Sequence, residues 1–266
     1  MTLAYIAVFI FGCCIGSFLN CAIYRMEHQK RFVKGRSFCP KCKHKLSCCD
    51  LIPILSFLIL KGRCRYCKQK IAIQYLIAEI ATGLLFLLIF NFQFSIFNEF
   101  SIFQFLKLLY LLSVACLLEV IFIYDLKHYI IPDRLVFPAI GLAFLYQFFL
   151  FLNCKLKIEN LTNLALAILV SSGFFFLIWL ISRGRWLGFG DVKLALFMGL
   201  FLGWPNILMA LFFAFISGAI IGLILIVLQK KKMKSEVPFG PFLVAGTFFA
   251  LFLGEKIFNW YLSFIL

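Results

Sequence analysis

Of the 266 residues, 64% are hydrophobic and only 14% are charged, far from the roughly 45–50% apolar content of soluble domains, so a soluble globular enzyme is excluded. The formal charge of +15 would suit nucleic acid, but 13 of the 26 Lys and Arg lie between Arg25 and Lys70 against only Glu27 and Asp50, which places +11 in one stretch. A basic patch hung between apolar runs reports membrane topology or anionic lipid, and nucleic acid is set aside as a partner.

Apolar runs of about 20 residues recur along the chain, each matching the ~30 Å hydrocarbon thickness at 1.5 Å rise per residue. Helices satisfy their own backbone groups in lipid, so the fold class is all-α and polytopic. Spans are expected over residues 2–23, 72–91, 103–124, 134–152, 162–182, 192–208, 208–228 and 238–254, about eight in all. The sixth is the weakest, because Gly203-Trp204-Pro205-Asn206 reads as a tight turn. The tail, 255–266, extends the last helix or lies in the interface.

The first run carries its positive charge after the apolar segment, the reverse of a secretory signal, and reads as a retained span with its N-terminus outside. Alternation then places the loop from Asn91 to Ser101, which lacks Lys and Arg, outside. Lys127 and Arg134 fall inside, as do Arg183, Arg185 and Lys193, and then Lys230, Lys231, Lys232 and Lys234. Lys155 and Lys157 are the outside exceptions. This predicts a first transmembrane helix over 1–23, a cytoplasmic four-cysteine domain over 24–71, and a membrane domain over 72–266.

Cys39-Pro40-Lys41-Cys42 and Cys64-Arg65-Tyr66-Cys67 form two C-x2-C knuckles separated by 21 residues, close to the spacing of four-thiolate zinc sites. Two thiolates on each tight turn complete a tetrahedron and leave no open position, so the zinc would be structural. Thiols in a cytoplasmic loop stay reduced, which favours metal over disulfide. Cys48 and Cys49 are competing ligands or bystanders, and His28 and His44 read as solvated. Cys13, Cys14, Cys21, Cys116 and Cys154 lie in or beside spans, where a thiol behaves as a small apolar residue.

Asp125, in Tyr124-Asp125-Leu126-Lys127-His128-Tyr129-Ile130-Ile131-Pro132-Asp133, and Asp191, in Gly188-Phe189-Gly190-Asp191, each lie at the edge of an apolar segment. Two spans separate them, so both return to the same membrane face. Either one alone reads as a solvated helix cap, and an intramembrane proton relay is a second reading. Together they suggest a carboxyl pair sharing a proton, one activating water and the other polarising a peptide carbonyl. Gly188 and Gly190 would let an extended substrate backbone approach the acid. Asp133 reads as a helix cap. Glu79 and Glu119, inside spans, either support a site or pair with basic residues.

Several motifs run in order along nearly the whole chain. They are Gly16-Ser17-Phe18-Leu19-Asn20 with Tyr24-Arg25, the four cysteines, Asp50-Leu51-Ile52-Pro53-Ile54-Leu55-Ser56 and Lys61-Gly62-Arg63-Cys64. Asp125 with Ile131-Pro132-Asp133, Gly188 to Asp191 with Lys193-Leu194, and Pro238-Phe239-Gly240-Pro241 follow. In these the chain resembles the type IV prepilin peptidases, membrane aspartyl proteases that also process type II secretion pseudopilins. The resemblance implies cleavage of a short basic leader at the cytoplasmic face of the bacterial inner membrane, after a Gly and usually before a Phe. In many members, S-adenosylmethionine-dependent N-methylation of the new N-terminus follows. It implies Asp125 and Asp191 as the catalytic pair, and associates the N-terminal cytoplasmic region, including Gly62, with the methyl donor. The Trp or Tyr that often precedes the Asp-x-x-Pro segment is replaced here by Cys48-Cys49. A basic leader would be repelled by the +11 loop, so recognition is expected through the apolar helix that follows the leader, and the loop is expected to lie against lipid. A proton-coupled transporter and a non-catalytic assembly factor with a zinc module remain the alternative readings.

Overall fold

A computed structural model describes residues 2–28, 37–96, 101–153, 158–228 and 237–265. The described residues form nine α-helices and no β-strand: α1 Thr2–Glu27, α2 Leu55–Ile59, α3 Ile73–Ile96, α4 Ile102–His128, α5 Asp133–Leu152, α6 Ile158–Ser182, α7 Phe189–Leu202, α8 Asn206–Val227 and α9 Gly240–Ile265. Seven of them (α1, α3, α4, α5, α6, α8 and α9) are long and apolar enough to cross a membrane. The expected sixth span is the exception. It is α7, whose 14 residues rise only about 21 Å, short of the ~30 Å hydrocarbon layer. The helix stops at Gly203, which has a φ of +66°, and α8 starts three residues later. The tail expectation resolves as a continuation of α9 to Ile265.

The chain divides into two compact units, Met1–Cys116 and Leu117–Leu266. In the first, α1 packs along α3 through small residues. A Cβ on Gly12 would come within 2.8 Å of Gly83 Cα, and one on Gly16 within 2.9 Å of Glu79 Cα. This Gly-x-x-x-Gly spacing lets two backbones approach where lipid supplies no hydrophobic drive, so close packing holds the pair. In the second unit the same logic joins α6 to α7, where a Cβ on Gly199 would fall 2.6 Å from Ser171 Oγ. The Gln147 amide ties α5 to α7, its Nε2 donating to the Leu200 carbonyl at 3.0 Å. Phe175, Phe197, Met198 and Leu243 are fully enclosed there, while Phe144, Phe148 and Phe212 stay exposed on helices that would face lipid. The inside and outside loop residues Lys155, Lys157, Lys230, Lys231, Lys232 and Lys234, and Cys154, lie outside the described residues.

Candidate active site and metal centre

Asp125 occupies the last turn of α4 and Asp191 the first turn of α7, both in the second unit. Helix α4 closes with Tyr129 in the left-handed region at φ +58°, its N–H donating to the Asp125 carbonyl at 2.9 Å. This is a C-terminal cap of the αL type. It turns the chain immediately after the aspartate and directs Ile131 back beside it. Gly188 is the N-cap of α7 and its carbonyl accepts the Asp191 N–H at 3.1 Å. A carboxylate in the first turn of a helix is favoured by the helix dipole.

Both carboxyl groups are buried, Asp125 at 3% and Asp191 at 9% exposure, and Asp125 is the neighbouring charge that acts on Asp191. Asp125 Oδ2 is enclosed without a hydrogen-bond partner among the described residues. Such an acceptor is costly to bury unless something binds it. The surrounding wall is glycine. A Cβ on Gly240, the first residue of α9, would collide with Asp125 Oδ2 and lie 3.1 Å from Ile131 Cδ1. A Cβ on Gly190 would lie 2.9 Å from Ile131 Cβ, and one on Gly188 would lie 3.4 Å from Asp191 Oδ2. The Ile131 side chain therefore touches glycines from α7 and α9, and four chain segments meet around the two acids. Sequence reasoning gave Gly240, Ile131 and Lys193 no role beyond their motifs. The signal for Gly240 was its place in Pro238-Phe239-Gly240-Pro241.

Asp133 behaves differently. The N-cap of α5 is Pro132 rather than Asp133, which corrects the capping half of the expectation, while Asp133 does lie in the first turn of α5, where its charge favours the helix dipole. The Asp133 carboxylate instead pairs with Lys193 Nζ at 2.7 Å while 57% exposed. Lys193 lies over the rings of Phe137 and Phe189, 5.1 Å from each centroid. Asp133 is thus a partnered surface carboxylate. Glu119 is buried in α4, and Glu79 Oε2 accepts the Ile54 N–H at 2.8 Å.

In the first unit the sulfur atoms of Cys39, Cys42, Cys64 and Cys67 all lie within 4.8 Å of one another. Cys39 Sγ and Cys67 Sγ are 3.9 Å apart, and a tetrahedral zinc with Zn–S bonds of about 2.3 Å requires edges of about 3.8 Å. The two knuckles repeat one backbone design. Cys39 N–H donates to His44 O and Lys43 N–H to Cys39 O; Cys64 N–H donates to Gln69 O and Lys68 N–H to Cys64 O. Lys43 and Lys68 both take φ +58°, and bridges Phe38 to Lys45 and Arg63 to Lys70 close each turn. The Cys67 backbone N–H holds the Cys64 thiol down at about 7, toward the thiolate a metal needs. Cys48 and Cys49 are exposed on a 3-10 turn and do not join the cluster. His28 and His44 are exposed, as expected, each with its ring against a tyrosine, Tyr24 and Tyr66, at 4.2 and 3.7 Å between centroids. Gly62, expected near a methyl donor, sits beside the second knuckle at φ +67°, with its Cβ position 3.0 Å from Phe57 Cζ.

Comparison with known proteins follows the same division. Residues 10–92, which hold all four cysteines, match the Bacterial Peptidase A24 N-terminal domain, and residues 111–223, which hold both aspartates, match the Type IV leader peptidase family. A "Prepilin leader peptidase/N-methyltransferase" of Legionella pneumophila is 32% identical over 98% of this chain and 95% of its own length. Proteins of the same name from Bacillus subtilis (strain 168) and Aeromonas salmonicida (strain A449) are 32% and 29% identical, over 96% and 97% of this chain and 97% and 94% of their own lengths. No solved structure matches. With seven membrane-length helices, a four-cysteine cluster and similarity running almost end to end, this multi-pass membrane protein belongs to the type IV leader peptidase family.

Proposed function

We propose that the chain is a membrane aspartyl endopeptidase that removes the basic leader from type IV prepilins or pseudopilins and then N-methylates the new N-terminus with S-adenosylmethionine. The observation that carries the cleavage reading is the buried, glycine-walled carboxyl pair Asp125 and Asp191, with Asp125 Oδ2 enclosed and lacking a hydrogen-bond partner among the described residues. Two buried acids that act on each other's charge share a proton. The ionised one takes a proton from water, the protonated one donates to the scissile carbonyl, and the water oxygen bonds to the carbonyl carbon. Collapse breaks the C–N bond as the leaving amine takes a proton back from the pair. The pair titrates as a unit, so both acids serve each role in turn. Gly188 and Gly190 leave room for an extended substrate backbone.

The basic loops support a cytoplasmic face for this site in the bacterial inner membrane, with the N-terminus outside. Zinc held by Cys39, Cys42, Cys64 and Cys67 would be structural, fixing two short turns that bury little apolar surface of their own. Incubation of the purified protein with a prepilin carrying a Gly-Phe junction tests the reading: a shortened product with an N-terminal Phe is expected. An unchanged substrate would overturn it. Mass spectrometry of that N-terminus, with and without S-adenosylmethionine, tests the methylation.

A further inference from the structure

The two knuckles share a backbone design but differ in what surrounds their charge. An open pocket on the second is lined by Lys61, Arg63, Arg65 and Lys68 together with Ile59, Leu60 and Cys64, and no acid shares its wall. Arg65 is committed to Asp50 at 2.7 Å. Lys61, Arg63 and Lys68 are exposed and pair with no acid among the described residues. Three uncompensated cations around one concavity repel one another, and an anion seated between them relieves the repulsion.

The local backbone gathers these cations beside Ile59. Helix α2 ends with the Gly62 N–H donating to the Phe57 carbonyl at 2.8 Å and the Lys61 N–H to the Leu58 carbonyl at 3.1 Å, the paired bonds of a Schellman closure. The left-handed position of that closure, ordinarily glycine, is Lys61 at φ +51°. The chain reverses there, which returns Lys61 and Arg63 to the side of Ile59. Ahead of the reversal, Leu55, Leu58 and Ile59 stand at i, i+3 and i+4 on one face of α2, each more than half exposed. After it, the Ile71 N–H donates to the Gly62 carbonyl at 2.8 Å, and the membrane-length part of α3 begins at Ile73. The pocket is thereby pinned to the end of a span, at the depth where lipid phosphates lie. The first knuckle is the contrast. Lys41, Lys43 and Lys45 give it the same charge, but no large apolar side chain from residue 37 to 50 is exposed among those described.

We infer that α2 and the second knuckle form a docking site for an anionic phospholipid, with the phosphodiester seated among Lys61, Arg63 and Lys68 and with Leu55, Leu58 and Ile59 entering the acyl boundary. Charge alone selects no depth, and apolar surface alone selects no headgroup. Here one chain reversal joins the two, which is the pattern of an interfacial anchor. A nucleic acid or a free phosphate would use the cations but leave the aliphatic face of α2 in water. The lipid fixes the second knuckle at the membrane surface beside the span that follows it, so the four-cysteine cluster takes its depth from this knuckle and not from the first.

The test uses the full-length, zinc-loaded protein in nanodiscs of phosphatidylcholine, alone or with about one third phosphatidylglycerol, read by hydrogen–deuterium exchange. Peptides spanning residues 55–70 should exchange more slowly in the anionic discs, while peptides spanning 38–46 should not change. Phosphatidylglycerol titrated in detergent should bind Lys61→Gln/Arg63→Gln/Lys68→Gln about 100-fold more weakly than wild type, at about fivefold for each cation near the surface. Lys41→Gln/Lys43→Gln/Lys45→Gln removes the same charge from the first knuckle and should bind within about threefold of wild type. Leu58→Ser changes no charge and should lose the protection in discs. Zinc content and melting curves verify that each variant keeps its first unit. Equal protection in phosphatidylcholine alone, equal loss in both triple variants, or equal protection by inorganic phosphate in neutral discs would overturn the site. So would protection that arises only when a prepilin is added, which would mark the surface as a protein contact.

Discussion

Gly240→Ala probes the wall of the acid site with one methyl group. The added carbon would collide with Asp125 Oδ2, lie 3.1 Å from Asp125 Cγ and lie 3.1 Å from Ile131 Cδ1. Asp125 is confined to 3% exposure, so the carboxyl group cannot yield outward without pushing its neighbours. Overpacking of this kind costs about 1–3 kcal/mol. If the cost falls on the geometry of the acid pair, kcat for leader cleavage falls by about 5- to 150-fold. KM should change little, since the methyl sits beside the acid rather than along the substrate's apolar helix. Gly222→Ala, in α8, is the matched control, because nothing lies within 4 Å of its Cβ position. Cleavage of a Gly-Phe prepilin by both variants, with thermal melts to verify folding, is the assay. Wild-type kcat for Gly240→Ala would refute the claim that this glycine gives Asp125 its place.

Other expectations follow from the same geometry. Asp125→Asn and Asp191→Asn should each lower cleavage by at least about 10²–10⁴-fold, the range of general acid–base catalysis, with normal melting curves; turnover near wild type by either would remove it from the pair. Asp133→Asn breaks only a pair whose acid is 57% exposed, so its effect on stability should stay below about 1 kcal/mol and cleavage should persist; loss of cleavage equal to that of Asp125→Asn would contradict the distinction. Cys39→Ser should reduce bound zinc and destabilise the first unit, measured by metal analysis and melting; one tightly held zinc per chain would point to other ligands. Zinc must displace protons from four thiols, of which Cys64 is held at about 7 by the Cys67 N–H while Cys67 is raised to about 11, so zinc affinity should fall as pH drops, and more steeply once pH passes below about 7. Affinity unchanged between pH 7.5 and 5.5, two round values either side of about 7, would show that no thiol protonates there.

Most of the fold was legible because lipid imposes a length on each helix. The apolar runs at 103–124 and 134–152 correspond to α4 and α5 within a few residues at most ends. The sixth segment is the weakest of the expected eight for the reason the sequence showed: Gly203-Trp204-Pro205-Asn206 marks a turn, and the helix before it is 14 residues long. Hydropathy reports how apolar a segment is, and not where its hydrogen-bond ladder stops. The cysteine cluster was legible from spacing alone, since two thiols on one turn are a local property. The wall around the aspartates was not. Gly240 stands 115 positions from Asp125, and their contact depends on which helix ends meet.

That meeting of ends explains why one aspartate differs from another eight residues away. Asp125 lies on the last turn of a membrane-length helix, enclosed by the α9 glycine and by Ile131, the residue that the αL cap at Tyr129 sends back across it. Asp133 lies past that turn, at the start of α5, where solvent and Lys193 neutralise it. Sequence offers two acids in near-identical apolar surroundings, and only the turn between them separates a buried acceptor from a surface ion pair. A carboxyl group held by burial in a cleft is a candidate for exchanging protons with a substrate. Among the two, Asp125 alone is enclosed and keeps an oxygen, Oδ2, with no hydrogen-bond partner among the described residues, while the Gly240 backbone N–H is the neighbouring donor in that wall.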